Sequence, residues 1–264
     1  MKPDYKNWVP KGMVVSTATG AGILAVVNIL LWIFGWKLPK TAQVILKITG
    51  ALAFAVTAAV ALWSYFAHKA FSYDGKRKMS KQIAEGTAEY VKLPDGGKGL
   101  DVGCGSGALT IACAKRNPNA TMLGIDRWGA EYASFSRELC EKNARIEGVG
   151  DRTAFQQGDA TALDFPDETF DAVTSNYVFH NITGADKQKL LKETLRVLKK
   201  GGTFAIHDLM SKARYGDMEK FVQELKAEGY EKVELIDTAH GMFMSPAEAR
   251  WMMLGGSTLL VGRK

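Results

Sequence analysis

The stretch Gly99-Leu100-Asp101-Val102-Gly103-Cys104-Gly105-Ser106-Gly107 constrains this chain more than any other. It reads as the end of an apolar strand that runs into a glycine-rich turn and then into a helix, Ala108-Leu109-Thr110-Ile111-Ala112-Cys113-Ala114. Alternate glycines allow a sharp turn and let a ligand approach closer than any Cβ permits. The helix that follows points its first N–H groups and its positive dipole end at the turn. A second apolar strand, Thr121-Met122-Leu123-Gly124-Ile125, ends on Asp126, 19 residues beyond Gly107. An acid at the tip of the neighbouring strand is placed to accept both hydroxyls of a ribose. Together these features predict an α/β chain with a nucleoside site at the carboxyl edge of a parallel sheet.

The glycines alone do not choose the nucleoside, because Gly103, Gly105 and Ala108 also satisfy the dinucleotide pattern G-x-G-x-x-G/A. Three features argue against NAD. Asp101 stands where dinucleotide-binding strands stay apolar, and a carboxylate beside the turn suits a cationic ligand tail. Gln157-Gly158-Asp159-Ala160-Thr161 ends a third strand, Thr153-Ala154-Phe155-Gln156. The run Asp164–Val173 leads into a fourth strand, and Leu198-Lys199-Lys200-Gly201-Gly202 into a fifth. In this order and spacing, residues 86–264 resemble the class I S-adenosylmethionine-dependent methyltransferases. Within that family they resemble the small-molecule branch that includes ubiquinone- and menaquinone-type enzymes. The resemblance implies a Rossmann-like seven-stranded sheet that ends in an antiparallel hairpin.

It also implies roles. Asp101 would hold the methionine ammonium, directly or through water. The backbone of Gly103, Cys104, Gly105 and Gly107 would line the methionine part and the ribose edge, and Asp126 would bind the ribose hydroxyls. Asp159 would accept from the adenine amino group, with Ala160 beside the ring. Asn176, ending the fourth strand, would sit near the sulfonium. Arg127, next to Asp126, joins the cofactor-binding set. Arg127-Trp128 departs from the small polar residues common in the family at this point; Trp128 either stacks on adenine or starts the next helix and packs.

On the acceptor side, Ser175-Asn176-Tyr177-Val178-Phe179-His180-Asn181 lacks the Asn/Asp-Pro-Pro-Tyr type of sequence used on nucleic-acid and glutamine amino groups. His180 and Tyr177 are the catalytic candidates, able to orient or deprotonate an acceptor. For His180 a capping or structural role is the alternative. His207-Asp208 is not expected to pair, since neighbours on a strand point to opposite faces. Residues 240–244 and 251–254 are rich in Met and aromatics and read as an adaptable apolar pocket or as core beneath a loop. No metal-ligand spacing stands out.

Charge divides the chain. Residues 1–81 hold eleven Lys/Arg against Asp4 and Asp74, whereas residues 82–264 hold 23 basic and 26 acidic residues. The sheet portion is therefore slightly acidic, a poor footprint for nucleic acid. Cys104, Cys113 and Cys140 are odd in number and read as free thiols in a reducing compartment.

The basic N-terminal part carries two apolar runs. No charged residue occurs from Gly12 to Trp36, and a second run spans Ile48–Ala67, extended backwards by Thr41–Leu46 across Lys47. About 20 apolar residues cross a bilayer core as a helix. The runs predict a transmembrane hairpin with spans over about 12–36 and 44–67, turned at Lys37-Leu38-Pro39-Lys40; the alternative is a hydrophobic cap packed on the soluble domain. Trp8, Trp32, Trp36, Trp63 and Tyr65 lie near the ends, where amphipathic aromatics favour the interface. Lys47 would snorkel toward the Lys37/Lys40 side. Lys2, Lys6 and Lys11 precede the hairpin, and Lys69, Lys76, Arg77, Lys78 and Lys81 follow it. The positive-inside rule then puts both ends in the cytoplasm. Small residues at four-residue spacing (Ser16 and Gly20; Ala18 and Gly22; Ala51, Ala55 and Ala59) would let helices approach within the hairpin or between subunits of a homo-oligomer. Lys76-Arg77-Lys78 with Lys81 could hold anionic headgroups.

The domain expectation is a membrane hairpin over 1–69, a linker or lid helix over 70–92 that would lie over the cofactor pocket, and a methyltransferase domain over 93–264. Helices are expected at 78–91, 128–143, 186–198 and 217–228, and strands at 234–237 and 258–262. The function expected is methyl transfer from S-adenosylmethionine to a hydrophobic or lipid-resident small molecule by a membrane-anchored enzyme. The alternatives are a membrane-anchored S-adenosylmethionine sensor or scaffold without turnover, and a methyltransferase of a soluble small molecule with an incidental anchor.

Overall fold

The computed structural model describes residues 2–129 and 134–264. They form two units: Asn7–Ser80, and a sheet unit of residues 2–6 with Lys81–Lys264.

In the first unit, α1 (Lys11–Phe34, 24 residues) and α2 (Lys40–Phe71, 32 residues) are joined by a 3₁₀ turn at Gly35–Lys37. At a rise of 1.5 Å per residue both exceed the roughly 30 Å of a bilayer core. They run antiparallel. Thr17 Oγ1 lies 3.1 Å from Ser64 Oγ, and Asn28 Nδ2 donates to the Gly50 carbonyl at 3.0 Å. Gly50 leaves room for this contact, since a Cβ would stand 2.6 Å from Asn28 Oδ1 and the Asn28 side chain would have to shift. Gly20 faces Thr57, but a Cβ at Gly22 would meet nothing within 4 Å, so only part of the small-residue pattern serves the packing of this pair. The Lys47 ammonium lies 4.2 Å above the Trp32 ring, a cation–π contact near the turn. Outward faces carry large apolar side chains such as Ile23, Ile29, Leu52 and Val56, all more than half exposed. Both helices are long and apolar enough to cross a membrane. The second helix begins at Lys40, directly after Pro39.

The sheet unit has strands β1 (Lys98–Val102), β2 (Thr121–Asp126), β3 (Thr153–Gln157), β4 (Phe170–Asn176), β5 (Leu198–Leu209), β6 (Glu231–Asp237) and β7 (Ser257–Arg263). Their order is β3-β2-β1-β4-β5-β7-β6. The first five are parallel, and β7 pairs antiparallel with both β5 and β6. The predicted seven-stranded sheet with a terminal antiparallel hairpin is thus the fold. Its interior is Leu100, Val102, Val173, Phe204, Ile206 and Leu260, covered by Leu191 and Leu195 of α6 (Lys187–Arg196) and Phe221 and Leu225 of α8 (Met218–Ala227). These strands are buried on both faces and so read as continuous apolar runs.

The remaining helices are α3 (Met79–Ala88), α4 (Ala108–Arg116), α5 (Arg137–Ile146), α7 (Lys212–Tyr215) and α9 (Pro246–Trp251). The helix expected over 128–143 starts instead at Arg137, where Ser136 accepts the Leu139 N–H as N-cap. Trp128 has φ +43° and opens no helix. Residues 130–133 of that expectation lie outside the described residues. Helix α9, absent from the sequence reading, starts with a capping box of Ser245 and Glu248. The helix expected over 78–91 ends at Ala88, and its Gly86 packs against the Phe243 ring.

The first residues differ from the domain expectation. Sequence reading assigns 1–69 to the hairpin, whereas residues 2–6 belong to the sheet unit. The Asp4 N–H donates to Asn143 Oδ1 at 2.7 Å, and Asn143 Nδ2 donates back to the Asp4 carbonyl at 2.9 Å. One buried amide on α5 thus pairs both backbone groups of Asp4.

Candidate functional site

The turn after β1 has the left-handed backbone its glycines predict, with φ +76° at Gly103, +55° at Gly105 and +83° at Gly107. The Gly103 and Cys104 N–H groups both donate to the Ile125 carbonyl, at 2.8 and 3.0 Å, which ties the turn to β2. A Cβ on Gly103 would lie 2.3 Å from Val178 Cγ2, so this glycine also makes room for the segment after β4. Beside Gly105 there is open space: a Cβ there would meet nothing within 4 Å. The Gly105 N–H donates to Asp126 Oδ2 at 2.8 Å, and the Trp128 N–H donates to Asp126 Oδ1 at 2.9 Å. The Asp126 carboxylate is therefore held at the turn by two backbone donors, one on each oxygen. Each oxygen keeps a lone-pair direction for a further donor.

Trp128 turns back over the loop and donates its indole N–H to the Gly105 carbonyl at 3.0 Å. Cys140 Sγ lies 3.1 Å from the same oxygen. Cys104 is buried, and burial pushes its thiol well above the ordinary range, so it serves as a small lining residue. The Gly158 N–H donates to the Asp126 carbonyl at 3.0 Å, which brings Asp159 and buried Ala160 to the same sheet edge. Asp159 Oδ1 accepts the Thr161 N–H and hydroxyl, both at 2.8 Å. Those hydrogen bonds hold its carboxyl below the usual range, and the Arg127 charge adds to the effect.

Asp101 lies near the end of β1. It is buried inside the sheet, with Thr110 Oγ1 donating to Oδ2 at 2.6 Å and Thr174 Oγ1 donating to Oδ1 at 2.9 Å. Burial raises its pKa to about 6 against those two hydrogen bonds. Asp101 underpins the turn from below by joining β1, α4 and β4.

On the acceptor side β4 and β5 pair so that Asn176 lies opposite His207. Asn176 Oδ1 is 2.9 Å from His207 Nδ1, and Thr238 Oγ1 is 2.8 Å from His207 Nε2. His207 is fully buried, and burial lowers its pKa to about 3, so it is a neutral strut between β4 and the β6–β7 loop. Asn176 is thereby committed to His207. Tyr177 follows with φ +54°; its hydroxyl sits 2.6 Å from Ser257 Oγ, and burial pushes the phenol upward. Its ring stacks edge-on to His207, with centroids 4.6 Å apart. The Tyr177 hydroxyl is thus engaged with Ser257 and its ring with His207.

His180 lies in a 3₁₀ turn after β4 and points Nδ1 at Asp208 Oδ1, 2.5 Å away. Its own N–H donates to Asp208 Oδ2 at 3.2 Å. His207 and Asp208 do face different partners, as the strand alternation predicts, but the partner of Asp208 was not foreseen. The available signal was the β4–β5 register: with Asn176 opposite His207, Asp208 comes level with the start of the turn that carries His180. Tyr215 on α7, beside Asp208, was also missed. The Met- and aromatic-rich segments divide: Phe243, Met244, Met252 and Leu254 are buried, while Met242, Trp251 and Met253 are exposed. His240 pairs with Asp237 on the surface, at 2.7 Å.

Residues 100–206 match the methyltransferase domain family Methyltransf_11. The chain is 35% identical over 117 residues to a demethylmenaquinone methyltransferase of Lactobacillus johnsonii, covering 44% of this chain and 45% of that protein. It is 31% identical over 150 residues to a 2-phytyl-1,4-naphtoquinone methyltransferase of Thermosynechococcus vestitus, covering 56% of this chain and 60% of the relative. It thus spans about half the length of the curated relatives it matches. Among solved structures, a geranyl diphosphate C-methyltransferase of Streptomyces coelicolor superposes with a TM-score of 0.52 at 15% identity, over 71% of this chain and 79% of that one. That likeness concerns the fold.

Proposed function

We propose that this chain, which carries a class I S-adenosylmethionine-dependent methyltransferase domain, transfers a methyl group to an apolar small molecule held in or near a bilayer. The observation that carries the reading is the coupling of Asp126 to Gly105 beside open space, on a chain whose residues 100–206 match the methyltransferase domain. The group that fits here is S-adenosylmethionine, which supplies, when bound, a methyl on a positively charged sulfur. Asp126 would take the ribose hydroxyls. Asp159 and Ala160 would border the adenine, with Arg127 at the rim and Trp128 against the Gly105 edge. Asn176 would border the methionine end, beside the backbone of Gly103, Cys104 and Gly107. Asp101 acts on that end through Thr110 and Thr174, which stiffen the turn, so no direct ammonium contact is assigned to it.

The leaving group is already activated by its charge, so the residues of this chain act mainly by alignment and exclusion of water. The quinone-type names of the relatives support an apolar acceptor. Support for the bilayer comes from α1 and α2, whose outward faces are apolar where a soluble helix pair would be polar. The Lys and Arg residues before α1 and after α2 outnumber those of the turn, which favours a cytoplasmic sheet domain.

The test uses full-length protein in membranes. S-adenosylmethionine and its demethylated product should bind by calorimetry and NAD should not. Membrane extract incubated with labelled methyl donor should yield a labelled apolar product by mass analysis. Carbonate washing should leave the protein in the membrane fraction. Label found only in water-soluble products would remove the apolar acceptor, and release by carbonate would remove the spans.

A further inference from the structure

We propose that the connection between β6 and β7 is a membrane-contact surface of the sheet unit, whose Met242, Trp251 and Met253 enter the interfacial layer of a lipid bilayer. The inference rests on the membrane part of the reading above and adds to α1 and α2 a further point of lipid contact.

Among the described residues of the sheet unit, three large hydrophobic side chains are exposed: Met242 at 43%, Trp251 at 50% and Met253 at 67%. All three stand in one connection, between β6, which ends at Asp237, and β7, which starts at Ser257. The other exposed large hydrophobics lie between Trp8 and Phe66, in the hairpin unit. Exposed apolar residues scattered singly need no explanation, but their gathering on one connection marks a binding surface.

The connection is held from its inner side. Phe243, Met244, Ala249, Met252 and Leu254 are buried. The Phe243 ring fills the space beside Gly86 of α3 and stands edge-on to His207, with centroids 5.4 Å apart. Helix α9 closes with two backbone hydrogen bonds: the Leu254 N–H donates to the Ala249 carbonyl at 2.8 Å, and the Met253 N–H to the Arg250 carbonyl at 3.3 Å. This closing turn places Met253 at φ +59°, where helix ends favour glycine. A methionine is thus kept in a disfavoured backbone while most of its side chain faces outward, so internal packing does not account for it.

A lipid surface fits this outer side. Tryptophan favours the membrane interface, and the flexible methionine side chain adapts to irregular apolar surroundings. Glu248 and Arg250 are the only Asp, Glu, Lys or Arg residues among 238–257. Glu248 is taken up by the capping box, where it accepts the Ser245 N–H at 2.9 Å. Arg250 is exposed next to Trp251 and has the sign that lipid phosphates attract. The chain passes from α2 into the sheet unit through α3, the helix on which Phe243 packs, and α1 and α2 carry apolar outward faces. Because β7 is antiparallel to both β5 and β6, the connection leaves β6 at the carboxyl edge of the sheet, the edge that also carries the glycine-rich turn after β1. An apolar acceptor drawn from lipid would arrive at that edge.

The experiment reads Trp251 in the full chain reconstituted into phosphatidylcholine vesicles, as the emission of wild type minus that of Trp251→Phe. An interfacial side chain sits about 5–10 Å deep, so lipid brominated near the top of its acyl chains should lower this difference emission by about half or more. That quenching, in a chain that resists carbonate washing, supports the inference. Unquenched Trp251 in a carbonate-resistant chain overturns it and leaves the spans in place. Trp251 that escapes bromine yet is shielded from acrylamide in the water assigns the surface to a second copy of this chain, and overturns it too. Release of the chain by carbonate removes the spans instead, and flotation with the same vesicles at neutral pH then decides. Met253→Gly suits the left-handed backbone and preserves folding, so the double variant Trp251→Ser/Met253→Gly should float about 10-fold less or lower still. Equal flotation of the double variant and wild type overturns the inference.

Discussion

Asn143 on α5 donates its amide to the Ser106 carbonyl at 3.1 Å, inside the turn that Gly103, Gly105 and Gly107 form. The same side chain pairs both backbone groups of Asp4, and the Ser106 hydroxyl donates to the Tyr5 carbonyl at 2.8 Å. The chain that leads into α1 is thereby stitched to the loop at which the cofactor is proposed to bind.

Replacing Asn143 by Ala should therefore act on the loop as well as on stability. It leaves the Asp4 N–H and the Ser106 carbonyl without this partner, and for the buried Ser106 carbonyl the cost is about 1–3 kcal/mol. The expected outcome is a lower melting temperature together with weaker S-adenosylmethionine binding by calorimetry. Removing residues 2–6 should weaken binding in the same direction. Asn143→Ala with unchanged affinity would mean the stitch serves stability alone.

Gly103→Ala tests the second tie of the loop. Alanine there meets both a left-handed backbone, costing about 1–2 kcal/mol, and the Val178 side chain. Val178→Ala should relieve the steric part and not the backbone part. In a double-mutant cycle the two substitutions should thus be less harmful together than their separate losses predict. Additive losses would show that the loop yields without pressing on Val178.

Asp126→Ala should weaken S-adenosylmethionine binding about 10-fold or more, since hydrogen bonds to charged groups contribute about 1.5–3 kcal/mol. It also frees the Gly105 and Trp128 N–H groups, so the loop should become more mobile. Unchanged calorimetric affinity would sink the ribose assignment, and hydrogen exchange at Gly105 would report the loosening separately.

Asp101 should tilt stability with pH. Its folded-state pKa is raised, from 3.8 to about 6, so the native state holds the proton more tightly than the unfolded chain. Stability from this group is present below about pH 4 and declines as pH rises through 6. The total is no more than about 3 kcal/mol at 1.36 kcal/mol per pKa unit. Asp101→Asn should lack this slope, so the wild-type melting temperature minus that of the variant should fall between pH 4 and 6. A flat difference would show that Asp101 is ionised and satisfied throughout.

Much of the sheet domain can be read directly from sequence. The apolar strands Leu100–Val102 and Thr121–Ile125, the glycines between them and the acid at 126 are local patterns, and local patterns set local backbone geometry. The two long apolar helices are legible for a similar reason: uninterrupted apolar runs of this length favour a helix. Boundaries were less legible. Ser136 ended the choice of where α5 begins, and a cap is one side-chain hydrogen bond that competes with neighbouring options.

What the sequence by itself determined, then, was the class of fold, the turn and the identity of the acids around it. What only the tertiary structure decided was where those side chains go. Asp101 reads only as an acid before the turn; that Thr110 and Thr174, from α4 and β4, each donate to one of its oxygens is set by packing. Asp208 looks idle until β5 docks beside β4 and the turn after β4 carries His180, 28 residues earlier, onto it. Asp4 reads as part of the N-terminal hairpin domain until Asn143, 139 residues away, takes its backbone. Each of these is a directional contact only a few ångströms long between residues distant in sequence. Its partner is chosen by strand register and helix packing, and neither is encoded in the residues adjacent to it.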